Sequence, residues 1–338
     1  MPRRCVLPQR MRVAAIDIGT NTILLLVAER QADGSLSALL DRATITRLGE
    51  GVDRSRRFSP AAVARTCACI EDYAESVRKL DVDRIAVVGT SAMRDAAGGH
   101  EVRDCVGKSL GVEARVVSGE DEARLAFRGA LSGLSIDSRE ETAVFDIGGG
   151  STEVVLGRSE KGLLSFAYLE SFSLGSVRLT ERLLAHDPPA ASELKALGGT
   201  LDKAFSLVPQ LPDSRAPVGI AGTMTTLASV SMGMVPYNGA RLHGRSLSRE
   251  ELRSTVSRLA SLNLSARRDV PGMEPKRADV IVAGGYIALA LLDHWNAAAV
   301  TISDRGVRWG LAEELAADEN MQPSPPTGAF ASQRLPKS

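Results

Sequence analysis

Two short stretches of the chain repeat one pattern, in which an apolar strand ends at Asp-Ile-Gly and a turn of small residues follows. The first stretch is AAIDIGTNT, around Asp17, and the second is AVFDIGGGST, around Asp146. Each turn leads into another apolar run, so each stretch is typical of a hairpin between two buried strands. A single turn of this kind could be an ordinary glycine-rich hairpin, but its presence in both halves of the chain predicts a duplicated fold.

The segments around the two turns follow the same order. In the first half the patterns predict β-β-β-α-β-α-β-α, with a strand–turn–strand unit at 16–27 and strands at 36–48, 84–90 and 113–118. From Thr142 the strand–turn–strand unit begins again, and helices then alternate with strands at 217–220 and 298–302. A duplicated three-stranded unit with helical crossovers implies an α/β fold with two domains that face each other across a cleft.

The length of 338 residues is enough for two domains of ordinary size. We assign residues 12–133 to domain I and residues 134–318 to domain II, with 188–211 as surface decoration on domain II. Residues 1–11 are predicted to be disordered or to precede the true start, for which Met11 is the candidate. Residues 319–338 are rich in Pro and Ser and lack periodicity, which predicts a disordered tail.

Charge and composition argue against several classes of function. The formal net charge is zero, so the basic surface typical of nucleic-acid-binding proteins is not expected. The longest apolar run, Val280–Leu292, is too short to span a bilayer, and no membrane association is predicted. The four cysteines include no C-x-x-C pair and the four histidines are scattered, which disfavours a metal site built from thiolates or imidazoles. Reduced thiols without a secretory segment predict a cytoplasmic protein.

The two turns have the composition of phosphate-binding loops. Glycines let backbone N–H groups point at a phosphate without a Cβ in the way, and hydroxyl and amide side chains add donors. An aspartate at each strand end offers the hard oxygen ligand that Mg²⁺ prefers, usually through water. The sequence therefore predicts a pincer for neighbouring phosphates, built from Asp17, Gly19, Thr20, Asn21 and Thr22 on one side and Asp146, Gly148, Gly149, Gly150, Ser151 and Thr152 on the other.

DIGTNT and DIGGGST in this order resemble the two phosphate loops of the actin, heat-shock-cognate and sugar-kinase superfamily. Within it, four segments resemble the exopolyphosphatase and guanosine pentaphosphate phosphohydrolase (Ppx/GppA) family: VVGTSAMRDA, VVSGEDEARLAFRGA, SLGSVRLTE and TISDRGVRWGLAEE. The resemblance runs from about Arg12 to Leu315 and fits the short form of the family, which lacks an additional helical domain. It implies two ribonuclease-H-like, actin-like ATPase domains with a cleft between them.

The resemblance also suggests roles for individual residues. Glu122 in SGEDEAR matches the catalytic base of the family, and Arg94 matches an arginine directed at the phosphate chain, a task that suits a forked guanidinium. Asp146 is expected to bind the metal, with Glu153 ordering the water around it. The structural alternatives are that Glu122 only offsets the helix dipole, as we expect for Glu120 and Asp121, and that Arg94 is a solvated loop arginine.

A third small-residue turn and a basic track complete the predicted site. Gly222 and Thr223 in AGTMTT correspond to the nucleotide-side loop of the superfamily and are expected to line the cleft. Arg267 is expected to bind a longer polyanion. The other candidates for the track are Arg277 and Arg305, with Arg268 and Lys276 assigned to the surface.

The leading hypothesis is a hydrolase that releases terminal orthophosphate from inorganic polyphosphate by attack of water. Mg²⁺ is the expected cofactor, Mn²⁺ is the alternative metal, and a monovalent cation is a further candidate. Guanosine pentaphosphate, hydrolysed to the tetraphosphate, is the second candidate substrate, and a homodimer is the candidate assembly. The alternatives are a non-catalytic sensor of polyphosphate or of the alarmone, and an ATP-dependent small-molecule kinase on the same fold. The spacing of the turns alone predicts only phosphate binding between two lobes.

Overall fold

The computed structural model describes residues 10–136, 140–160, 162–211 and 215–317. The strands of the first half are β1 (Arg12–Ile18), β2 (Thr22–Arg30), β3 (Leu36–Ile45), β4 (Arg84–Gly89) and β5 (Ala114–Val116). They form one sheet in the order β3-β2-β1-β4-β5. The strand that carries Asp17 is therefore central and is covered on both faces.

The second half repeats this arrangement. Its strands are β6 (Thr142–Ile147), β7 (Thr152–Glu160), β8 (Leu163–Phe172), β9 (Val218–Ile220), β10 (Ser246–Ser248) and β11 (Ala299–Ile302), in the sheet order β10-β11-β9-β6-β7-β8. In both sheets the first three strands are antiparallel neighbours. The next strand in sequence then pairs parallel with the strand that ends in Asp-Ile, β4 with β1 and β9 with β6. The predicted duplication and the α/β fold class are confirmed.

The helices of the first half are α1 (Val52–Ser55), α2 (Pro60–Lys79), α3 (Ser91–Asp95), α4 (Gly99–Leu110) and α5 (Gly119–Leu131). The α2 helix starts where Ser59-Pro60 predicts, because the Ser59 hydroxyl accepts the Ala62 N–H at 3.2 Å. Helices α2 and α4 pack against one face of the first sheet. Ile70, Val77 and Val102 are among the side chains that they bury there.

The helices of the second half are α6 (Ser176–Leu183), α7 (Ala191–Phe205), α8 (Ala221–Ser231), α9 (Arg249–Ser261), α10 (Leu264–Arg268), α11 (Ile281–His294) and α12 (Val307–Ala317). Two 3₁₀ turns lie at Gly239–Arg241 and Pro275–Arg277. The prediction that 188–211 is surface decoration is wrong. Leu197, Leu201 and Phe205 form an apolar stripe on α7 that is buried in the core of the second half, next to α11.

Two helices connect the halves by crossing between the sheets. Helix α5 packs against β7 and β8 of the second sheet, and α12 packs against β1 and β2 of the first. Their backbones touch, since a Cβ added to Gly129 would collide with the Gly306 carbonyl and one added to Gly310 would collide with the Leu125 carbonyl. A third apolar cluster, formed by both sheets and both helices, therefore joins the halves behind the cleft.

The proposed domain boundary after residue 133 falls in the connection between α5 and β6. The predicted disordered ends, 1–11 and 319–338, lie outside the described residues except for positions 10 and 11. Among the helices of the described part, none combines the length and the apolar character needed to cross a membrane.

Candidate active site

The two Asp-Ile-Gly turns face each other at the carboxyl ends of β1 and β6. They have the same length and the same closing hydrogen bond. The Gly19 N–H donates to the Thr22 carbonyl at 3.1 Å, and the Gly148 N–H donates to the Ser151 carbonyl at 3.0 Å. Thr20 packs directly on the second turn, since a Cβ added to Gly149 would lie 3.1 Å from Thr20 Cβ. The structure thus brings the two predicted sides of the pincer together.

A pocket of about 90 Å³ lies between the turns. A space of this size suits one small anion, and a larger ligand would extend beyond it. Most of the predicted site residues line it, namely Asp17, Gly19, Thr20, Asn21, Thr22, Glu122, Asp146, Gly148, Gly149, Gly150, Ser151, Gly222 and Thr223.

Three buried carboxylates line this pocket, those of Asp17, Glu122 and Asp146, and a fourth, that of Glu153, is buried close by. Burial is the largest cause of a raised pKa in every one of them. For Asp17 and Glu153 the nearby negative charges of Glu122 and Asp146 raise the pKa further, so that both values lie well above their usual range. Burial and Glu122 raise the pKa of Asp146 to about 7. Burial and the mutual repulsion of these carboxyls therefore favour their protonated forms unless a cation compensates them.

The register of the second sheet explains the position of Glu153. Asp146 on β6 is directly opposite Glu153 on β7, so the two side chains project from the same face of the sheet. Glu153 does not line the pocket. It lies behind Asp146, where its Oε1 accepts the Ser171 hydroxyl at 2.7 Å.

Glu122 lies in the first turn of α5 and points inward, with 7% of its surface exposed. Its neighbours face solvent: Ser118 caps the helix by accepting the Asp121 N–H at 3.0 Å, and Glu120 forms a surface ion pair. Burial raises the pKa of Glu122, while the charge and hydrogen bond of Arg94 oppose that effect. Glu122 thus differs from Glu120 and Asp121, which face solvent at the N-terminus of α5.

Arg94 is held behind Glu122 and does not line the pocket. Its Nη1 donates to Glu122 Oε2 at 2.6 Å and to the Val117 carbonyl at 3.0 Å. In this structure the Arg94 guanidinium is therefore engaged with a buried carboxylate, and its contact with a phosphate chain stays a prediction. Helix α3 directs its guanidinium to the start of α5, where it compensates the buried carboxylate.

The donors of the pocket fit a divalent cation that keeps water and phosphate among its ligands. Asp17 Oδ1 is buried and has no hydrogen-bond partner among the described residues. Such an atom is costly unless something binds it. In the described ranges no three His, Cys, Asp or Glu side chains form a ready-made metal cluster. Proteins usually bind Mg²⁺ through one or two carboxylates together with water and substrate phosphate, and Asp17 and Asp146 line the pocket with such carboxylates.

Two residues predicted to bind phosphate are engaged elsewhere. Thr152 is the first residue of β7, and its hydroxyl donates to the Leu174 carbonyl and does not line the pocket. Arg267 is almost fully buried on α10. Its guanidinium holds backbone segments together by donating to the carbonyls of Leu259, Leu262 and Ala278. Both predictions are corrected, because local sequence does not reveal which face of its element a side chain occupies.

A third candidate, Arg305, also lies away from the pocket. Its guanidinium stacks 3.8 Å above the Trp309 ring and donates to the Ser132 hydroxyl. It lines a separate cavity near the ends of α5 and α12. The predicted basic track is thus reduced to Arg277.

The family model that describes Ppx/GppA phosphatases matches residues 26–319 of the chain. The chain belongs to the Ppx/GppA phosphatase family. It is 38% identical to Exopolyphosphatase 2 of Mycobacterium tuberculosis over 321 residues, which cover 90% of this chain and 98% of that protein. Exopolyphosphatase 1 of Mycobacterium bovis is 28% identical over 305 residues, which cover 89% and 87% of the two chains.

Solved structures agree with this assignment. The crystal structure of the Aquifex aeolicus Ppx/GppA family member matches with a TM-score of 0.78 and 31% identity, covering 93% of this chain and 100% of that one. The predicted family and the predicted two-domain fold are confirmed.

The pocket of this Ppx/GppA phosphatase also contains residues that sequence reasoning missed. Ser91 follows the Gly-Thr turn after β4, and Arg308 lies within the segment DRGVRWG, so the motifs quoted for the resemblance already contained both. Arg308 forms two hydrogen bonds to Asp41, at 2.8 and 3.0 Å. The lining residues that were not predicted include Thr90, Ser91, Ser176 and Arg308. Arg277, a predicted candidate of the basic track, also lines the pocket and donates to the Thr22 hydroxyl at 3.2 Å.

A larger cavity of about 650 Å³ adjoins the pocket. Gly222, Arg277 and Arg308 line both spaces, so these residues form a wall that the two spaces share. The remaining walls of the larger cavity are mainly apolar, with carboxylates among them. They include Leu24, Ile45, Met234, Tyr237, Met273, Asp41, Glu274 and Asp304. This cavity is large enough for the part of a substrate that lies beyond its terminal phosphate.

Proposed function

We propose that this Ppx/GppA phosphatase is an exopolyphosphatase that releases terminal orthophosphate from inorganic polyphosphate. The observation that carries the proposal is the convergence of two small-residue turns on one pocket that also contains a buried glutamate, Glu122. The exopolyphosphatase that shares 38% identity with this chain supports the same substrate class.

The terminal phosphate is proposed to bind between the turns. Backbone N–H groups of residues 19–22 and 148–151, with the hydroxyls of Thr20, Ser91 and Ser151, are the available donors. Arg277 and Arg308 add positive charge at the wall that leads to the larger cavity. Several donors from opposite sides would fix the phosphorus atom in position for attack by water.

Glu122 is proposed to activate that water. A bond forms between the water oxygen and the terminal phosphorus, the bridging P–O bond breaks toward the shortened chain, and the water proton passes to the Glu122 carboxylate. Burial raises the pKa of Glu122 toward the working pH, which strengthens it as a base. Arg94 opposes this effect and helps to keep the carboxylate ionised.

A divalent cation, Mg²⁺ or alternatively Mn²⁺, is proposed to lie beside Asp17 and Asp146. When bound, it supplies positive charge that offsets the phosphate oxygens and the leaving group. The unpartnered Asp17 oxygen and the raised pKa values of these carboxyls support a cation at this place. Glu153 would order ligand water from behind Asp146, and a monovalent cation is a further candidate for the substrate chain.

A substrate panel tests the proposal. Phosphate release is followed with long-chain and short-chain polyphosphate, guanosine pentaphosphate and ATP, each with Mg²⁺, with Mn²⁺ and with a chelator. We expect release from polyphosphate that requires the metal and is lost in Glu122→Ala. Tight binding of polyphosphate without release would instead support a sensor. ATP turnover that depends on a small acceptor would support a kinase.

The larger cavity favours guanosine pentaphosphate as a second candidate substrate. Its apolar walls suit a nucleoside better than a bare polyphosphate chain, and Glu274 and Asp304 would repel phosphates that extend into it, whereas Asp41 is paired with Arg308. In the same panel, a higher kcat/KM for guanosine pentaphosphate than for polyphosphate would make the alarmone the main substrate. A cytoplasmic location and a homodimer remain part of the proposal, and light scattering of the purified protein tests the dimer.

A further inference from the structure

Arg178 on α6 binds three groups at once and is almost fully buried. Its Nε donates to the Gly150 carbonyl in the second turn at 2.7 Å, and its Nη1 donates to Asp53 at 2.6 Å. Its Nη2 donates to Asp95. Neither the resemblance nor the proposed reaction gives this arginine a role, although it lies in the segment SLGSVRLTE.

The partners of Arg178 belong to both halves of the molecule. Gly150 lies in the second half, whereas Asp53 on α1 and Asp95 on α3 belong to the first. Hydrogen bonding to Arg182, together with the charges of Arg182 and Arg178, lowers the pKa of Asp53. This carboxylate is therefore ionised near neutral pH. The ion pairs thus join the two halves of the molecule.

Helix α3 carries two functional contacts on adjacent residues. Asp95 binds Arg178, and Arg94 binds Glu122 at 2.6 Å. The first residue of the same helix, Ser91, lines the phosphate pocket, and a Cβ added to Gly150 would lie 2.5 Å from its hydroxyl. A helix of only five residues cannot shift at one of these positions without moving the others.

We propose that Arg178 is a positioning residue that couples the orientation of the second phosphate-binding turn to the placement of Glu122 through Asp95 and α3. The Gly150 carbonyl is held away from the pocket by Arg178, which leaves the N–H groups of the turn free to face a phosphate. The same guanidinium anchors α3, and α3 holds Glu122 through Arg94. This inference rests on the proposed function, in which the turn and Glu122 act on the same phosphate.

An arginine is required by the geometry of this site. A guanidinium presents donors in a rigid plane and can bind two carboxylates and a carbonyl at once, whereas a lysine ammonium is a single point. We therefore expect Arg178→Lys to retain more activity than Arg178→Gln, but less than the wild type.

A double-mutant cycle tests the coupling. Arg178→Gln and Asp95→Asn are compared with the double variant in steady-state phosphate release from polyphosphate. Asp95→Asn keeps Arg178 paired with Asp53, so it remains informative if Arg178→Gln fails to fold. We expect each single variant to lower kcat by about ten- to a hundredfold with a smaller change in KM. The kcat of the double variant should be no more than about twofold below that of the poorer single variant, because both changes break the same connection between Arg178 and Asp95.

Hydrogen exchange supplies a readout that does not depend on turnover. Amides of residues 91–95 and 149–151 should exchange faster in Asp95→Asn than in the wild type. The matched control is Arg253→Gln, which removes an exposed ion pair to Asp293 within the second half and should leave both kcat and these amides unchanged. If the wild-type protein released no phosphate, this would count against the proposed function and not against the coupling. The coupling would be overturned if the kcat losses of the two single variants multiplied in the double variant. It would also be overturned if the amides of residues 91–95 and 149–151 exchanged at the wild-type rate in Asp95→Asn.

Discussion

Arg94 Nη1 lies 2.6 Å from Glu122 Oε2, and this pair joins α3 to the first turn of α5. Burial and Arg94 act on the same carboxyl in opposite directions, because burial raises its pKa and the adjacent cation lowers it. The proposed base is therefore tuned by a residue that does not line the phosphate pocket.

Replacement of the proposed base should remove turnover and preserve binding. We expect Glu122→Gln to lower kcat by about two to four orders of magnitude, the usual contribution of a general base, with little change in KM. The control is Glu120→Gln, two residues earlier on the same helix, whose side chain is exposed and paired with Arg124. Steady-state phosphate release measures both variants. A wild-type kcat in Glu122→Gln would show that another residue is the general base.

Loss of the Arg94 guanidinium beside Glu122 should shift the pH dependence of kcat/KM. Without Arg94 the pKa of Glu122 loses its main lowering influence and rises further. Because the base must be deprotonated to act, the acidic limb of kcat/KM should shift to higher pH in Arg94→Gln. The profiles of the two proteins are measured from about pH 5 to pH 9 at constant metal concentration. A shift toward lower pH would contradict the assigned pair.

The tight packing of the turns should make the second one intolerant of a methyl group. A Cβ on residue 150 would lie 2.5 Å from Ser91 Oγ and 2.9 Å from Thr20 Oγ1. Gly150→Ala should therefore separate the turns and lower kcat/KM by about a hundredfold. In the control Gly199→Ala, on α7, the added Cβ meets nothing within 4 Å. That change should keep activity and raise the free energy of unfolding by up to about 1 kcal/mol.

The buried carboxyls should make stability depend on pH when no divalent cation is present. The folded-state pKa of Asp146 is about 7, above its ordinary value of 3.8. The folded state thus keeps a proton that the unfolded chain releases. The free energy of unfolding should therefore fall as pH rises from about 4 to about 7, on the order of a few kcal/mol.

Urea unfolding at several pH values, with chelator and with Mg²⁺, measures this dependence. Asp146→Asn should flatten the slope, and Mg²⁺ should restore stability at neutral pH if it binds the folded state. The carboxylate cluster would be ruled out as the cause if the free energy of unfolding were the same with chelator and with Mg²⁺. It would also be ruled out if that free energy rose between about pH 4 and pH 7.

Arg267 should matter for stability and not for substrate. Its guanidinium satisfies three backbone carbonyls around α9 and α10, and its replacement would leave them buried without a donor. We expect Arg267→Gln to lower the free energy of unfolding by about 3 kcal/mol or more, with an unchanged KM for polyphosphate at a temperature where the variant is folded. A raised KM in fully folded protein would return Arg267 to the binding track.

Most strands and helices could be predicted because their patterns are local. The strands predicted at 84–90 and 298–302 are β4 (Arg84–Gly89) and β11 (Ala299–Ile302), and the pair Ser59-Pro60 marks the start of α2. The short elements α1, α3 and β10 were missed because their three to five residues stand out by no local pattern, whereas the equally short β5 and β9 lie within the predicted strands 113–118 and 217–220. The site was predictable where residues lie inside a turn, as Gly148 and Ser151 do.

The sequence by itself determined the duplicated strand–turn–strand unit, the family and the composition of the two Asp-Ile-Gly turns, since each of these depends on residues that are neighbours in the chain. Only the tertiary structure decided which charged side chains meet at the pocket. It turned Arg94 toward Glu122, buried Arg267 among carbonyls, and set Arg178 between the two halves. The physical reason is that a guanidinium binds whichever acceptors the packing of distant elements brings within about 3 Å, and that packing is a property of the whole fold.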